Sequence, residues 1–63
     1  MVMRLYGRIL AIMRATPSKA WRPREMASLL DAHPREVRTY FMKSNKIERI
    51  AEGRYRLAAE AAK

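Results

Sequence analysis

The sequence predicts a small, mainly α fold closed by a β-hairpin. Three observations carry that expectation. Apolar residues recur at helical spacing over residues 3–14, 23–30 and 34–44. Only Asp31-Ala32-His33 separates the second segment from the third, which is the spacing of a helix-turn-helix. After Ser44-Asn45-Lys46 the period drops from about 3.6 residues to about 2, around a Glu52-Gly53 turn.

In the first helix Leu5, Ile9, Ile12 and Met13 form one apolar face, with Arg4 and Arg8 on the far side. Val2, Tyr6 and Leu10 widen the apolar sector beyond a single core stripe. Two readings stand: a central core helix, or a homodimer contact through Val2, Tyr6 and Leu10. Pro17 disfavours α geometry at Thr16 and so ends the helix. Lys19-Ala20-Trp21 suits a loop or the edge of a small sheet, with Trp21 as a core anchor or, as its rival role, a stacking partner for a nucleobase.

Pro23 opens the second helix. Met26, Ala27, Leu29 and Leu30 are its expected inner face, and Glu25 suits the positive end of the helix dipole. Pro34 opens the third helix, 34–44, where Val37, Tyr40, Phe41 and Ser44 face inward and Arg35, Arg38, Thr39 and Lys43 lie outward. In the hairpin, Ile47, Ile50, Tyr55 and Leu57 are the expected core contribution, with a bulge near Ala51 adjusting the register and Arg49, Arg54 and Arg56 on the exposed side. Residues 1–57 therefore form one domain. The Ala-rich tail, 58–63, is too short to hold a helix unaided and is expected to fray or to dock on the first helix.

Composition narrows the function. The 63 residues carry 14 Lys and Arg, ten of them Arg, against 6 Asp and Glu, a net charge of +8. Such a balance favours a polyanionic partner through counterion release, and arginine is the better bidentate donor to phosphate and guanine. With no cysteine and one histidine, neither disulfides nor a structural zinc site is expected, and no cofactor. No nucleophile–base pair, paired acidic cluster or phosphate-cradling glycine loop can be assembled, so an enzyme is not expected. No apolar run reaches the roughly 18 residues that span a bilayer. The N-terminal stretch, interrupted by Arg4, Arg8 and Arg14, lacks the form of a secretory signal. A cytoplasmic protein is expected, nucleoid-associated if bound to DNA, and with no membrane partner.

The order of elements, with the run Pro23-Arg-Glu-Met-Ala-Ser-Leu-Leu-Asp-Ala-His-Pro-Arg-Glu-Val-Arg-Thr-Tyr-Phe, resembles the winged helix-turn-helix family over residues 3–57. Glu25-Met26-Ala27 and Leu30 stand where such proteins carry an acidic-aliphatic-Ala step and a following Leu. Val37 and Phe41 match the buried positions of the recognition helix. Ile47-Glu-Arg-Ile50 and Gly53-Arg-Tyr-Arg-Leu57 look like strands flanking a wing in a two- to three-stranded sheet. His33 departs from the Ser or Thr that usually caps the recognition helix, and the wing turn is very short.

The resemblance implies a double-stranded DNA-binding protein, a small transcriptional regulator, whose third helix enters the major groove. Arg35 and Arg38 are then the candidates for base edges, Thr39 for a thymine methyl or phosphate, and Lys43 for phosphate. Arg54, Arg56 and Arg49 would hold the backbone beside the groove, and Arg22 and Arg24 are further phosphate candidates. Glu36 would accept from cytosine, pair with a neighbouring Arg, or repel phosphate. The alternative is a winged helix used as a protein-interaction or RNA-binding module, because fold alone does not fix function.

Overall fold

A computed structural model describes residues 4–58. Three helices precede one antiparallel hairpin: α1 (Leu5–Ala15), α2 (Pro23–Leu30), α3 (Pro34–Lys43), β1 (Ile47–Ala51) and β2 (Arg54–Leu57). The fold is thus mainly helical with a small β-hairpin. No helix among the described residues is long and apolar enough to cross a membrane.

The starts of α2 and α3, and the end of α2, have local causes. Pro23 and Pro34 both occupy first-turn positions, where their missing N–H removes no intrahelical bond. Glu25 Oε1 accepts from the Arg22 backbone N–H at 3.1 Å, satisfying a group just outside α2. Asp31 ends α2 in the left-handed region, at φ 53°, and the Ala32 N–H then reaches back to the Ala27 carbonyl at 2.9 Å. His33 caps α3: its Nδ1 accepts from the Arg35 N–H at 3.1 Å. Histidine looks a poor cap by residue preference, yet Nδ1 hangs from Cγ just as an Asn or Asp oxygen does, and it fills the same place.

The hairpin runs Ile47↔Leu57, Glu48↔Arg56 and Arg49↔Tyr55, then skips Ile50 so that Ala51 meets Arg54. That irregularity is the bulge expected near Ala51. Gly53, at φ +69°, supplies the backbone conformation of the two-residue turn. Beside this two-stranded sheet Trp21 makes an isolated antiparallel bridge: its N–H donates to the Tyr55 carbonyl at 2.6 Å and its carbonyl accepts from Tyr55 N–H at 2.9 Å.

One core joins all the elements. Ile9, Leu10 and Met13 from α1 meet Met26, Ala27 and Leu30 from α2, Val37 and Phe41 from α3, and Trp21, Ile47, Tyr55 and Leu57. The Phe41 and Tyr55 rings lie 5.0 Å apart in a tilted arrangement. Trp21 is the anchor its apolar surroundings imply, and its indole N–H donates to Thr16 Oγ1 at 3.1 Å.

One open reading narrows and three expectations are corrected. Leu10 is core, and Tyr6 stacks on Tyr40 and hydrogen-bonds Ser44 Oγ, so this part of the α1 face is used within the chain rather than left for a second copy. Val2 lies outside the described residues, as does the tail beyond Ala58. Leu29 is 60% exposed rather than inward, because it lies about 100° around the helix from the middle of the arc that Met26, Ala27 and Leu30 bury. Ile50 is 43% exposed: it stands three residues from the buried Ile47, so strand alternation puts it on the outer face with Glu48, and the bulge leaves it without a cross-strand partner. Tyr40, read as inward, is exposed at the edge of the buried stripe, where it covers Tyr6.

Candidate nucleic-acid interface

The N-terminal ends of α2 and α3 open side by side onto the hairpin turn. Between them runs a groove of about 550 Å³ lined by Arg22, Pro23, Arg24, Pro34, Arg35, Arg38, Glu52 and Gly53. A second lobe of about 320 Å³ shares Pro23, Arg38, Glu52 and Gly53 with it and adds Met42, Arg49 and Tyr55. Five arginines therefore line one continuous concavity. The short turn from Asp31 to His33 joins the far end of α2 to Pro34, and Pro34, Arg35 and Arg38 line the same groove as Arg22, Pro23 and Arg24 at the start of α2.

None of these five arginines has a carboxylate partner among the described residues. The ion pairs there are Lys19–Glu25, at 3.9 Å, and Arg56–Glu48, at 3.2 Å. Arg49 spends only its Nε, which donates to the Ala51 carbonyl at 3.3 Å. The groove thus gathers five arginines that make no ion pair among the described residues around the single carboxylate of Glu52, an excess of positive charge that a line of phosphates would neutralise.

Residues expected to share one interface fall into three places. Arg22, Arg24, Arg35, Arg38 and Arg49 come together in the groove. Thr39 and Lys43 are exposed on α3, with Thr39 Oγ1 donating to the Arg35 carbonyl at 2.9 Å and Lys43 beside the Tyr6–Tyr40 stack. Arg54 and Arg56 alternate with the buried Tyr55 and Leu57 and so occupy the hairpin's outer face, where Arg56 is paired with Glu48. Cross-strand pairing with Tyr55 places Arg49 on the opposite side of the hairpin from those two.

Two groove residues escaped the reading of the sequence. Met42 is 64% exposed between Arg38 and Arg49, and Glu52 places a carboxylate in both lobes. The helical phase of Met42, one turn beyond Arg38, was a legible signal. The position of Glu52 depends on how the hairpin folds back on α2 and had none. Among the described residues no three His, Asp or Glu side chains converge as a metal site would require. Compared with known protein families, curated proteins and solved structures, the chain has no match.

Proposed function

We propose that this chain is a winged helix-turn-helix domain that binds double-stranded DNA and serves as a small transcriptional regulator. The observation that carries the reading is the groove of five arginines, unpaired with carboxylates among the described residues, formed where the ends of α2 and α3 meet the hairpin turn. Such a surface gains affinity by displacing counterions from a polyanion. The ten residues of α3 make a rod about 15 Å long, and a major groove about 12 Å wide admits one helix. With α3 seated there, Arg35 and Arg38 reach base edges, while Arg22, Arg24 and Arg49 meet the flanking phosphates. Lys43 meets phosphate at the other end of the helix. Arg54 and Arg56, on the outer face, contribute to the field rather than to direct contact.

The test is fluorescence anisotropy of a labelled DNA duplex, titrated with wild-type protein and Arg38→Ala across a salt series. About five phosphate contacts give a log–log salt slope near −4 to −5. A steep slope, with clear weakening by Arg38→Ala, is the expected result. A flat slope, or no duplex binding at low salt, overturns the proposal in favour of a protein-interaction module, and preference for RNA overturns it in favour of RNA recognition.

A further inference from the structure

On the outward side of α3 the residues fall into a ridge: Arg35, Thr39 and Met42 stand at i, i+4 and i+7, with Arg38 along one flank and Lys43 along the other. The middle of this basic face is apolar. Met42 is 64% exposed and lines the same lobe as Arg38 and Arg49. Thr39 has turned its hydroxyl back onto the Arg35 carbonyl, at 2.9 Å, which leaves its methyl as the free contact group. A plain phosphate-binding face gains nothing from a thioether at that place, since phosphate offers it no apolar surface. The major groove of DNA does offer one: the C5-methyl of thymine, beside the acceptor edge of guanine that arginine reads.

We propose that Met42, assisted by the Thr39 methyl, is a specificity-determining contact for thymine, adjoining a guanine read by Arg38. This rests on the DNA-binding reading above and sharpens it to one chemical class of target, a duplex with a 5-methylpyrimidine in the major groove. Arg38 and Met42 are four residues apart, about 6 Å along the helix axis, against about 3.4 Å per base pair, so the thymine lies within about two base pairs of the guanine. The same contact separates DNA from RNA. Uracil lacks the methyl, and the deep, narrow major groove of an RNA duplex does not admit the helix.

The experiment begins with selection of duplexes from a randomised DNA library by the wild-type protein. The enriched duplex is resynthesised with each thymine replaced singly by deoxyuridine, which deletes only the methyl. Anisotropy titrations follow with wild type, Met42→Ala and the length-preserving Met42→Gln. At least one deoxyuridine, within two base pairs of a guanine whose loss matters less to Arg38→Ala than to wild type, weakens wild-type binding about 3- to 5-fold, the worth of one buried methyl. That penalty disappears in both Met42 variants. Because Met42 is mostly exposed, both variants fold, and circular dichroism verifies it. Tight duplex binding with no deoxyuridine-sensitive position, or an equal penalty in wild type and the Met42 variants, overturns this inference and leaves DNA binding intact. Failure of the wild type to retain any duplex at low salt overturns both.

Discussion

Trp21 and Tyr55 are joined backbone to backbone by two hydrogen bonds, at 2.6 and 2.9 Å, so the loop after α1 and the second strand of the hairpin form one rigid piece. Further along the same loop, the Thr16 hydroxyl donates to the Ile12 carbonyl at 2.8 Å and accepts from the Trp21 indole N–H at 3.1 Å. Helix, loop and hairpin are therefore fastened at a single place. A chain of 63 residues has a total stability of only about 3 to 9 kcal/mol. Trp21→Ala, at about 3 to 5 kcal/mol, removes roughly a third of it or more. Thr16→Val keeps the shape but strips the indole of its acceptor, and its expected loss is about 1 to 3 kcal/mol. Urea unfolding followed by tryptophan fluorescence measures the latter, and an unchanged midpoint rules out the indole–hydroxyl bond as a stabilising contact.

The arginines of the groove and those of the outer hairpin face differ in what surrounds them, and this difference predicts a ranking. Arg38 lines both lobes of the groove without a carboxylate partner, whereas Arg56 is already paired with Glu48 at 3.2 Å. Arg38→Ala is expected to weaken duplex binding by about 5- to 100-fold, the range of a lost bidentate base contact. Arg56→Ala is expected to change it by less than about threefold, because Glu48 offsets much of its charge. Anisotropy at one fixed salt concentration gives both numbers, and the reverse ranking would move the interface from α3 to the outer hairpin face.

Among the described residues, Glu52 is the one carboxylate that lines both lobes of the basic groove. It repels any phosphate that approaches Arg22 or Arg38, and the repulsion is screened by salt. Glu52→Gln, which keeps the size and removes the charge, is expected to tighten duplex binding by about two- to fivefold at low salt. The gain should shrink as salt rises. Titration of both proteins at low and high salt checks this, and equal affinities at low salt would place the DNA away from the hairpin turn.

Much of this architecture was legible in the sequence, because its signals are local. Pro23 and Pro34 mark where α2 and α3 begin, Glu52-Gly53 marks the turn, and the mismatch around Ile50 already required a bulge. The helical phase of Val37 and Phe41 told which side of α3 is buried, and hence which arginines remain outside. The misread residues share a cause: burial depends on how many apolar residues the neighbouring elements can cover. Three inward residues saturate an eight-residue α2, so Leu29 stays out, while the ring of Tyr6 finds its cover in Tyr40 across the space between α1 and α3. The groove was only half legible. Arg35 and Arg38 follow from helical phase, but their meeting with Arg22, Arg24 and Glu52 is a product of tertiary packing.

His33 offers a test of capping by an unusual residue. Its Nδ1 accepts from the Arg35 N–H, and its carbonyl accepts from the N–H groups of Glu36 and Val37, at 3.0 and 3.2 Å. The side chain is exposed, so packing contributes little and the cap is what a substitution removes. His33→Ala is expected to lose about 0.5 to 2 kcal/mol, and His33→Asn, whose side-chain oxygen takes the place of Nδ1, to match or exceed wild type. Denaturant unfolding separates the two. Equal losses in both variants would show that the imidazole acts by something other than its acceptor.

The two residues with positive φ among the described ones predict substitutions of opposite sign. Asp31 ends α2 at φ 53°, a conformation in which a side chain crowds the following carbonyl. Asp31→Gly relieves that crowding while preserving the Ala32-to-Ala27 hydrogen bond, which uses backbone alone. Glycine's larger unfolded-state entropy offsets part of the gain, leaving a net stabilisation of roughly 0.5 to 1 kcal/mol. In a domain of this size that raises Tm by roughly 2 to 8 °C. Gly53, at φ +69°, has open space where a Cβ would go, so Gly53→Ala introduces no collision. It still forces an L side chain into the left-handed region, and the expected loss is about 1 kcal/mol. Because the space is open, the loss reports backbone strain alone, and Gly53→Asn should recover part of it. Thermal unfolding of the three variants together decides the matter: a Gly53→Ala protein as stable as wild type, or an Asp31→Gly protein less stable than wild type, would mean that these two turns are not held in the left-handed conformation in solution.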